Sequence, residues 1–384
     1  MVDDALLARE QLADEAWLQT PQKDHLVPDS VAREQERASF REALRDDPPA
    51  IVLTHDDADG LTSAALVTDF HGVETVTQTV SYHGAYQLDD ALNDVRQHVA
   101  SRTRPPAVYI CDFSIDDRHL AERVADLTAT DGVPVIWFDH HQWDDDIAQQ
   151  LRDAGVDLLV DEDRCTATLI ESQPQYQFGE YLQELAAVTE DIDLWIREDP
   201  RSPRLNVFAS LADPGEYIGL VRARGPDFPE DVEARIDERL DELEYFESRA
   251  IDLADAFSMG SLGIVVTYIR DGRSSEIGNE LVEHRPEFDI AVVQKPHGGM
   301  GIYSKSSGED FARCHEIAAE LGGGGHPTAA GCDAPIDTFQ DLAYYWATNG
   351  ELVRSDVFDA IRAVVNDGND DPEDKGDAIG GGEA

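Results

Sequence analysis

Basic residues are the first scarcity. Lysine and arginine number 30 against 80 aspartates and glutamates, a formal net charge of −50 over 384 residues. So acidic a chain repels itself in dilute salt and repels nucleic acid as well. At about 1 M salt the Debye length shrinks to roughly 3 Å. The composition therefore fits a halophilic protein whose hydrated acidic surface keeps it in solution, and the net charge then says little about substrate. Long hydrophobic runs are missing too. Nothing approaches the roughly 18 apolar residues of a membrane span, and Met1-Val2-Asp3-Asp4 lacks the basic-then-apolar start of a secretory signal. A soluble, cytoplasmic protein with no membrane partner is expected. Cysteine is sparse: Cys111, Cys165, Cys314 and Cys332 are scattered, with no pair at zinc-ligand spacing. Buried, reduced thiols without a function are expected there.

What is present argues against disorder. Hydrophobic residues make up 41% of the chain, enough for packed interiors, and the length suits two domains. Val133 to Phe138 is an apolar, β-branched and aromatic run that reads as a buried central strand and stops at Asp139-His140-His141. Ligands bind at the carboxyl ends of strands in open α/β sheets, so metal-competent side chains at such an end point to a site. The pattern recurs. Ala50 to Thr54 runs into His55-Asp56-Asp57-Ala58-Asp59-Gly60 and then a small-residue helix, Leu61 to Phe70. His55, Asp57 and Asp59 alternate along an extended segment and share a side. A calcium loop fails there because Leu66 stands where a bidentate Glu is required. An Asx turn accounts for one Asp, not for three ligand-type residues.

Glu74 to Tyr82 reads as a strand and Gln87 to Val99 as a helix. Ala107 to Cys111 is another buried strand, ending at Asp112. A helix over Asp117 to Thr128, a strand over Val156 to Val160 and a mostly helical Gly179 to Trp195 follow, with Asp191 and Asp193 flanked by apolar residues. A partly buried carboxylate needs a partner, and a metal is one candidate. Alternating strands and helices predict an α/β fold, a parallel sheet with helices on both faces, plus a smaller C-terminal α/β domain joined by a helical linker. Strand and helix ends then carry His55/Asp57/Asp59, Asp112, Asp139/His140/His141 and Asp191. A carboxylate-rich set with a minority of imidazoles suits a pair of Mn²⁺ (or Mg²⁺) ions better than structural zinc. Two such ions can clamp a phosphate for in-line attack.

Residues 1–48 read as a helical extension (Asp4 to Gln11, then Ser30 to Arg45), 49–198 as the first α/β domain, and 199–257 as a linker. The linker is irregular and Pro-rich from Arg197 to Pro226, then a long charged helix over Pro229 to Ala256. Residues 258–365 form the second domain, with strands at Leu262 to Tyr268, Phe288 to Gln294 and Gly301 to Ser304. Ser306 to Glu309 resembles a capping box opening a helix from Glu309 to Leu321. Gly322-Gly323-Gly324-Gly325-His326 exceeds what a helix C-cap needs. Successive glycine amides can form an anion-binding concavity, with His326 adding a proton donor. Residues 366–384 read as a disordered tail.

His55-x-Asp57-x-Asp59-Gly60, Asp112, Asp139-His140-His141 and Gly322 to His326 together resemble the DHH phosphoesterase superfamily with its DHH-associated C-terminal domain, over roughly Ile51 to Pro335. The resemblance implies that 49–198 is the catalytic domain and 258–365 the substrate-binding one. It implies two Mn²⁺ (or Mg²⁺) ions, one on His55 and Asp57, the other on Asp59 and His140. Asp112 would bridge the two, and Asp191 would complete the second, with Asp193 as its alternative. It makes His141 a phosphate contact and Asp139 an orienting, catalytic partner of the imidazoles. It makes Gly323, Gly324, Gly325 and His326 a phosphate grip, with Lys305 where relatives often show Arg. The activity implied is hydrolysis of short single-stranded oligonucleotides to nucleoside 5′-monophosphates, as in the oligoribonuclease-like branch. A RecJ-like exonuclease of repair or replication and an inactive scaffold are the alternatives. Single-stranded nucleic acid is the expected partner, and a homodimer is allowed for.

Overall fold

The computed structural model describes residues 29–80, 86–100, 102, 104–296, 298–305, 312–336 and 338–367. It divides into two compact units between Arg239 and Leu240. In the first, five apolar runs form strands β1 (Ala50–Thr54), β2 (Val76–Thr79), β3 (Ala107–Cys111), β4 (Val135–Asp139) and β5 (Asp157–Val160). The helices before and between them are α1 (Asp29–Ala43), α2 (Ala58–His71), α3 (Leu88–Val99), α4 (Arg118–Ala129) and α5 (Asp145–Asp153). After β5 come α6 (Thr166–Glu171), α7 (Glu180–Asp193), α8 (Ser202–Leu211) and α9 (Pro214–Arg224).

The sheet is parallel throughout, in the order β2-β1-β3-β4-β5. Strands covered on both faces can be apolar at every position, which is why β1 is buried along its whole length. Alternation still divides the faces. Ile51, Leu53, Val108, Ile110, Val135, Trp137 and Leu158 share one core with α1, α3, α4 and α5. Each fully buried aliphatic there stabilises by about 1.5–3 kcal/mol before entropy is charged against it. On the other face α2 lies over β1 and is packed in by α6, α7, α8 and α9. Every residue of α2 from Ala58 to Thr68 is buried, so its small side chains are what let four helices close around it. The strand order reverses between β1 and β3, which opens a crevice at their carboxyl ends.

Residues 202–211 and 214–224, expected as part of an irregular linker, are helical instead. Pro203 and Pro214 stand in the first turns of α8 and α9, where the missing N–H costs nothing. Both helices belong to the first unit: Tyr217 of α9 shares a 2.9 Å hydrogen bond with Thr62 of α2, which also accepts one from Thr189 of α7. The described part of the N-terminal extension, α1, is fixed by Arg37 and Arg41, which pair with the buried Asp94 of α3. Asp4 to Gln11 and Tyr82 lie outside the described residues.

The second unit begins within α10 (Glu230–Asp252). Its sheet holds β6 (Asp255–Met259), β7 (Leu262–Tyr268), β8 (Ile290–Gln294), β9 (Gly299–Ser304), β10 (Gly324–Gly325) and β11 (Ala329–Asp333), in the order β10-β11-β9-β8-β7-β6. Only β7 and β8 run parallel; the other pairings are antiparallel. Helix α11 (Ser274–Glu283) covers one face, and α12 (Cys314–Glu320), α13 (Phe339–Ala347) and α14 (Arg354–Asp367) cover the other. The helix expected from Glu309 starts at Cys314, and the capping box Ser306 to Glu309 lies outside the described residues. The tail expected from 366 begins later, since Asn366 and Asp367 close α14; 368–384 lie outside the described residues. All four cysteines are buried and unpaired. Among the described residues no helix is long and apolar enough to cross a membrane.

Candidate metal centre

The carboxyl end of β1 is shaped by one glycine. A Cβ on Gly60 would lie 2.4 Å from the His55 carbonyl, so only glycine lets α2 start this close to the strand. Gly60 N donates to Asp57 Oδ1 at 3.0 Å, making Asp57 the N-cap, while Asp57 Oδ2 is 2.9 Å from His55 Nδ1. Asp59, 1% exposed in the first turn of α2, accepts hydrogen bonds from Thr166 N at 2.7 Å and Ala167 N at 2.8 Å. It therefore caps α6, whose own N-cap, Cys165, supplies no side-chain bond.

At the end of β3, Asp112 is buried with φ +56°, a left-handed conformation that Asp tolerates better than most residues and that often marks a functional position. At the end of β4, Asp139 is fully buried and holds His141 Nδ1 at 2.7 Å and Trp143 Nε1 at 2.7 Å. His140 Nε2 lies 3.4 Å from Asp112 Oδ1 and 3.5 Å from Asp193 Oδ2. Three overlapping groups result: His55/Asp57/Asp112, Asp112/His140/His141 and Asp59/His140/Asp193, each with ligand atoms within 4.8 Å of one another.

The charge state of this cluster is under strain. Burial, then the charges of Asp57, Asp59 and Asp193, push the Asp112 carboxyl well above its ordinary range. Burial and the charges of Asp59 and Asp57 do the same to Asp193, and burial outweighs the help of His140 in raising Asp59. Burial works against Asp57 as well, but the hydrogen bond and charge of His55 hold it below the usual carboxylate range. His55 is in turn pushed up to about 9, its burial outweighed by Asp57. Burial lowers His140, whereas His141, bonded to Asp139, is raised despite its burial. Asp112 Oδ2 and Asp193 Oδ2 are buried with no hydrogen-bond partner, an arrangement that costs about 1–3 kcal/mol for each group left so. Mutually repelling acids with unmatched oxygens and nearby imidazoles are a donor set that a divalent cation satisfies.

Asp191 lies outside these three groups. Its Oδ1 accepts Glu198 N at 2.8 Å and its Oδ2 accepts Ser202 Oγ at 2.6 Å; Asp193 takes the place in the cluster. Two positions apart on a helix is a rotation of about 200°, so the two acids face opposite sides of α7. Lys305, Gly323, Gly324, Gly325 and His326 belong to the second unit. Lys305 Nζ donates to Pro286 O at 3.1 Å. In the glycine run, Gly322 N, Gly323 N and His326 N donate to Ala319 O, Ala318 O and Ala329 O, and Gly324–Gly325 pairs with β11. Sequence reasoning missed Trp143 and the α6 amides, whose partners lie in other elements or lack any motif.

No family model matches the chain, and no curated relative matches it. Among solved structures, a DHH domain described as a member of a family of ribosomal proteins superposes with a TM-score of 0.55 at 17% identity, covering 93% of this chain and 96% of that one. Exonuclease RecJ bound to manganese gives 0.45 at 16%, covering 85% and 95%. RecJ in complex with Mg²⁺ from Thermus thermophilus gives 0.42 at 15%, covering 86% and 52%. The first of these, together with the parallel five-stranded sheet and the mixed second sheet, is what carries the assignment: the chain has the fold of a DHH domain protein.

Proposed function

We propose that the protein is a metal-dependent phosphodiesterase that removes nucleotides from short single-stranded oligonucleotides and releases nucleoside 5′-monophosphates. One observation carries this reading: groups from the ends of β1, β3, β4 and α7 converge on one partly buried cluster in which Asp112 Oδ2 and Asp193 Oδ2 are buried without a hydrogen-bond partner. His55, Asp57 and Asp112 would hold one ion and Asp59, His140 and Asp193 a second, with Asp112 facing both. The carboxylate-rich donors favour Mn²⁺ or Mg²⁺ over a structural zinc, which would recruit thiolates, and no cysteine belongs to these groups. When bound, two such ions polarise a phosphate and activate water at neutral pH.

The chain's own residues supply positioning. Asp139 fixes the His141 ring through Nδ1 and favours its charged form, leaving Nε2 to donate to a phosphate oxygen. Trp143 satisfies the other oxygen of Asp139, so the imidazole has one orientation. The α6 amides do the same for Asp59. The test is Mn²⁺-supplemented hydrolysis of a labelled five-mer beside a long single strand. Mononucleotide release, faster from the five-mer and lost in Asp112→Ala, is expected. No release, or undiminished release by Asp112→Ala, would overturn the proposal. Faster attack on the long strand would move the protein to a RecJ-like exonuclease.

A further inference from the structure

Past Asp193 the backbone makes a turn that the cluster does not require. Trp195 and Arg197 both have φ +60°, a left-handed conformation that costs a large side chain roughly 1–2 kcal/mol. Asp191 holds the turn. Its carbonyl accepts Ile196 N at 2.9 Å and Arg197 N at 3.1 Å, and its carboxylate accepts Glu198 N and Ser202 Oγ. A buried acid thus maintains a strained turn whose result is an exposed aromatic. Trp195 is 39% exposed and Ile196 50%, whereas Trp137 is buried and Trp143 and Trp346 are half-buried. The Arg197 guanidinium lies 3.5 Å from the centroid of the Trp195 ring. One residue, Leu194, separates Trp195 from Asp193, so their Cα atoms are at most about 7 Å apart.

We infer that Trp195 and Arg197 form a stacking platform for a nucleobase of the substrate at the edge of the metal cluster. This rests on the oligonucleotide reading above and deepens it. Indole and guanidinium planes both stack on bases, and such stacking tolerates any sequence because every base has a π-face. The charge of the chain favours such a device. In dilute salt a protein carrying −50 repels a polyanion. In concentrated salt, contacts between cations and phosphates lose affinity steeply, while apolar stacking persists. Strain held at an exposed Trp–Arg pair beside the cluster matches that need. A protein partner docking on the same patch would show no dependence on bases.

The experiment is a set of anisotropy titrations in EDTA, where nothing is cleaved, using a labelled five-mer and a five-mer of the same backbone with every base removed. Wild-type protein is expected to prefer the base-bearing strand by about tenfold, the size of one stacked base. That ratio should fall to about two or less in Trp195→Ala and largely return in Trp195→Phe. A wild-type ratio in Trp195→Ala overturns the platform, even if hydrolysis of the five-mer by wild-type protein stands. Failure of wild-type protein to bind or cleave either strand overturns the oligonucleotide reading and this inference together. If Trp195→Ala does not fold, Arg197→Gln takes its place, with the same ratio deciding.

Discussion

Asp112 is where backbone strain, burial and like charge meet. Its carboxyl, raised well above the ordinary 3.8, keeps in the metal-free fold a proton that the unfolded chain releases. Stability therefore falls as pH climbs from about 4 toward the raised value. His55 acts in the same direction: pushed up to about 9, it contributes stability that is complete below 6.5 and is lost as the pH passes through 9. Melting temperatures in EDTA should decline as the pH rises from about 4 through 9. Asp112→Asn suits a left-handed φ and has no proton to lose, so it should flatten that decline while lowering activity by about 100-fold or more, the upper end of what even outer-shell changes cost. An unchanged slope in the variant would remove Asp112 from the source of the strain. Asp191 and Asp193 make the companion case. Asp191→Ala strands Glu198 N and leaves Ser202 Oγ only the Asp199 carbonyl, and should cost about 1–3 kcal/mol while metal content, measured by elemental analysis after Mn²⁺ loading, stays at the wild-type level. Asp193→Ala should lose metal instead. Equal loss in both would return Asp191 to the ligand set. The sequence reading put Asp191 first and Asp193 as its alternative, because apolar neighbours on either side leave the rotational phase of α7 open. His55, Asp57, Asp59, Asp112 and His140 were legible because each stands at or just past the end of an apolar run, where the sheet itself sets the direction.

Among the elements, the parallel strands were legible from continuous apolar runs, and α8 and α9 were not, because their prolines read as breakers until the first turns are located. The glycine run shows a similar limit. Four consecutive glycines suggest a phosphate loop, but the reasons for glycine differ along it and only the packing separates them. A Cβ on Gly323 would sit 2.1 Å from Gly331 O and 2.6 Å from Cys332 Cβ, against the backbone of β11, which has no room to yield. Gly323→Ala should destabilise the second unit by about 1–3 kcal/mol, read from thermal melts and from faster amide exchange in β11. Gly324 has nothing within 4 Å of the added carbon, and its alanine variant should stay within about 0.5 kcal/mol of wild type. Equal destabilisation by both would mean that the sheet edge is not paired as described. If Gly324→Ala keeps the fold as expected, it also isolates the phosphate-grip expectation: weaker five-mer binding in that variant would support it.

For the whole molecule, a net charge of −50 sets the conditions under which every smaller effect is felt. Individual surface ion pairs contribute about 0–1 kcal/mol, so pairs such as Arg118–Asp146 and Arg235–Glu216 cannot offset the repulsion of some fifty unmatched acids. Added salt screens that repulsion, and the melting temperature should climb between about 0.1 M and 2 M KCl; a flat or falling curve would remove the halophilic reading of the composition. Oligonucleotide affinity separates two modes of recognition over the same range. A binder that relies on Lys and Arg loses affinity with a log–log slope of about −0.7 per phosphate contacted on a single strand. A binder that stacks a base on Trp195, and whose surface repels the strand until salt screens it, should show affinity that is level or rising. A steep fall would mean that cations lead recognition despite the charge balance. A level or rising curve that turns downward in Trp195→Ala would tie the charge of the entire chain to one strained turn after α7.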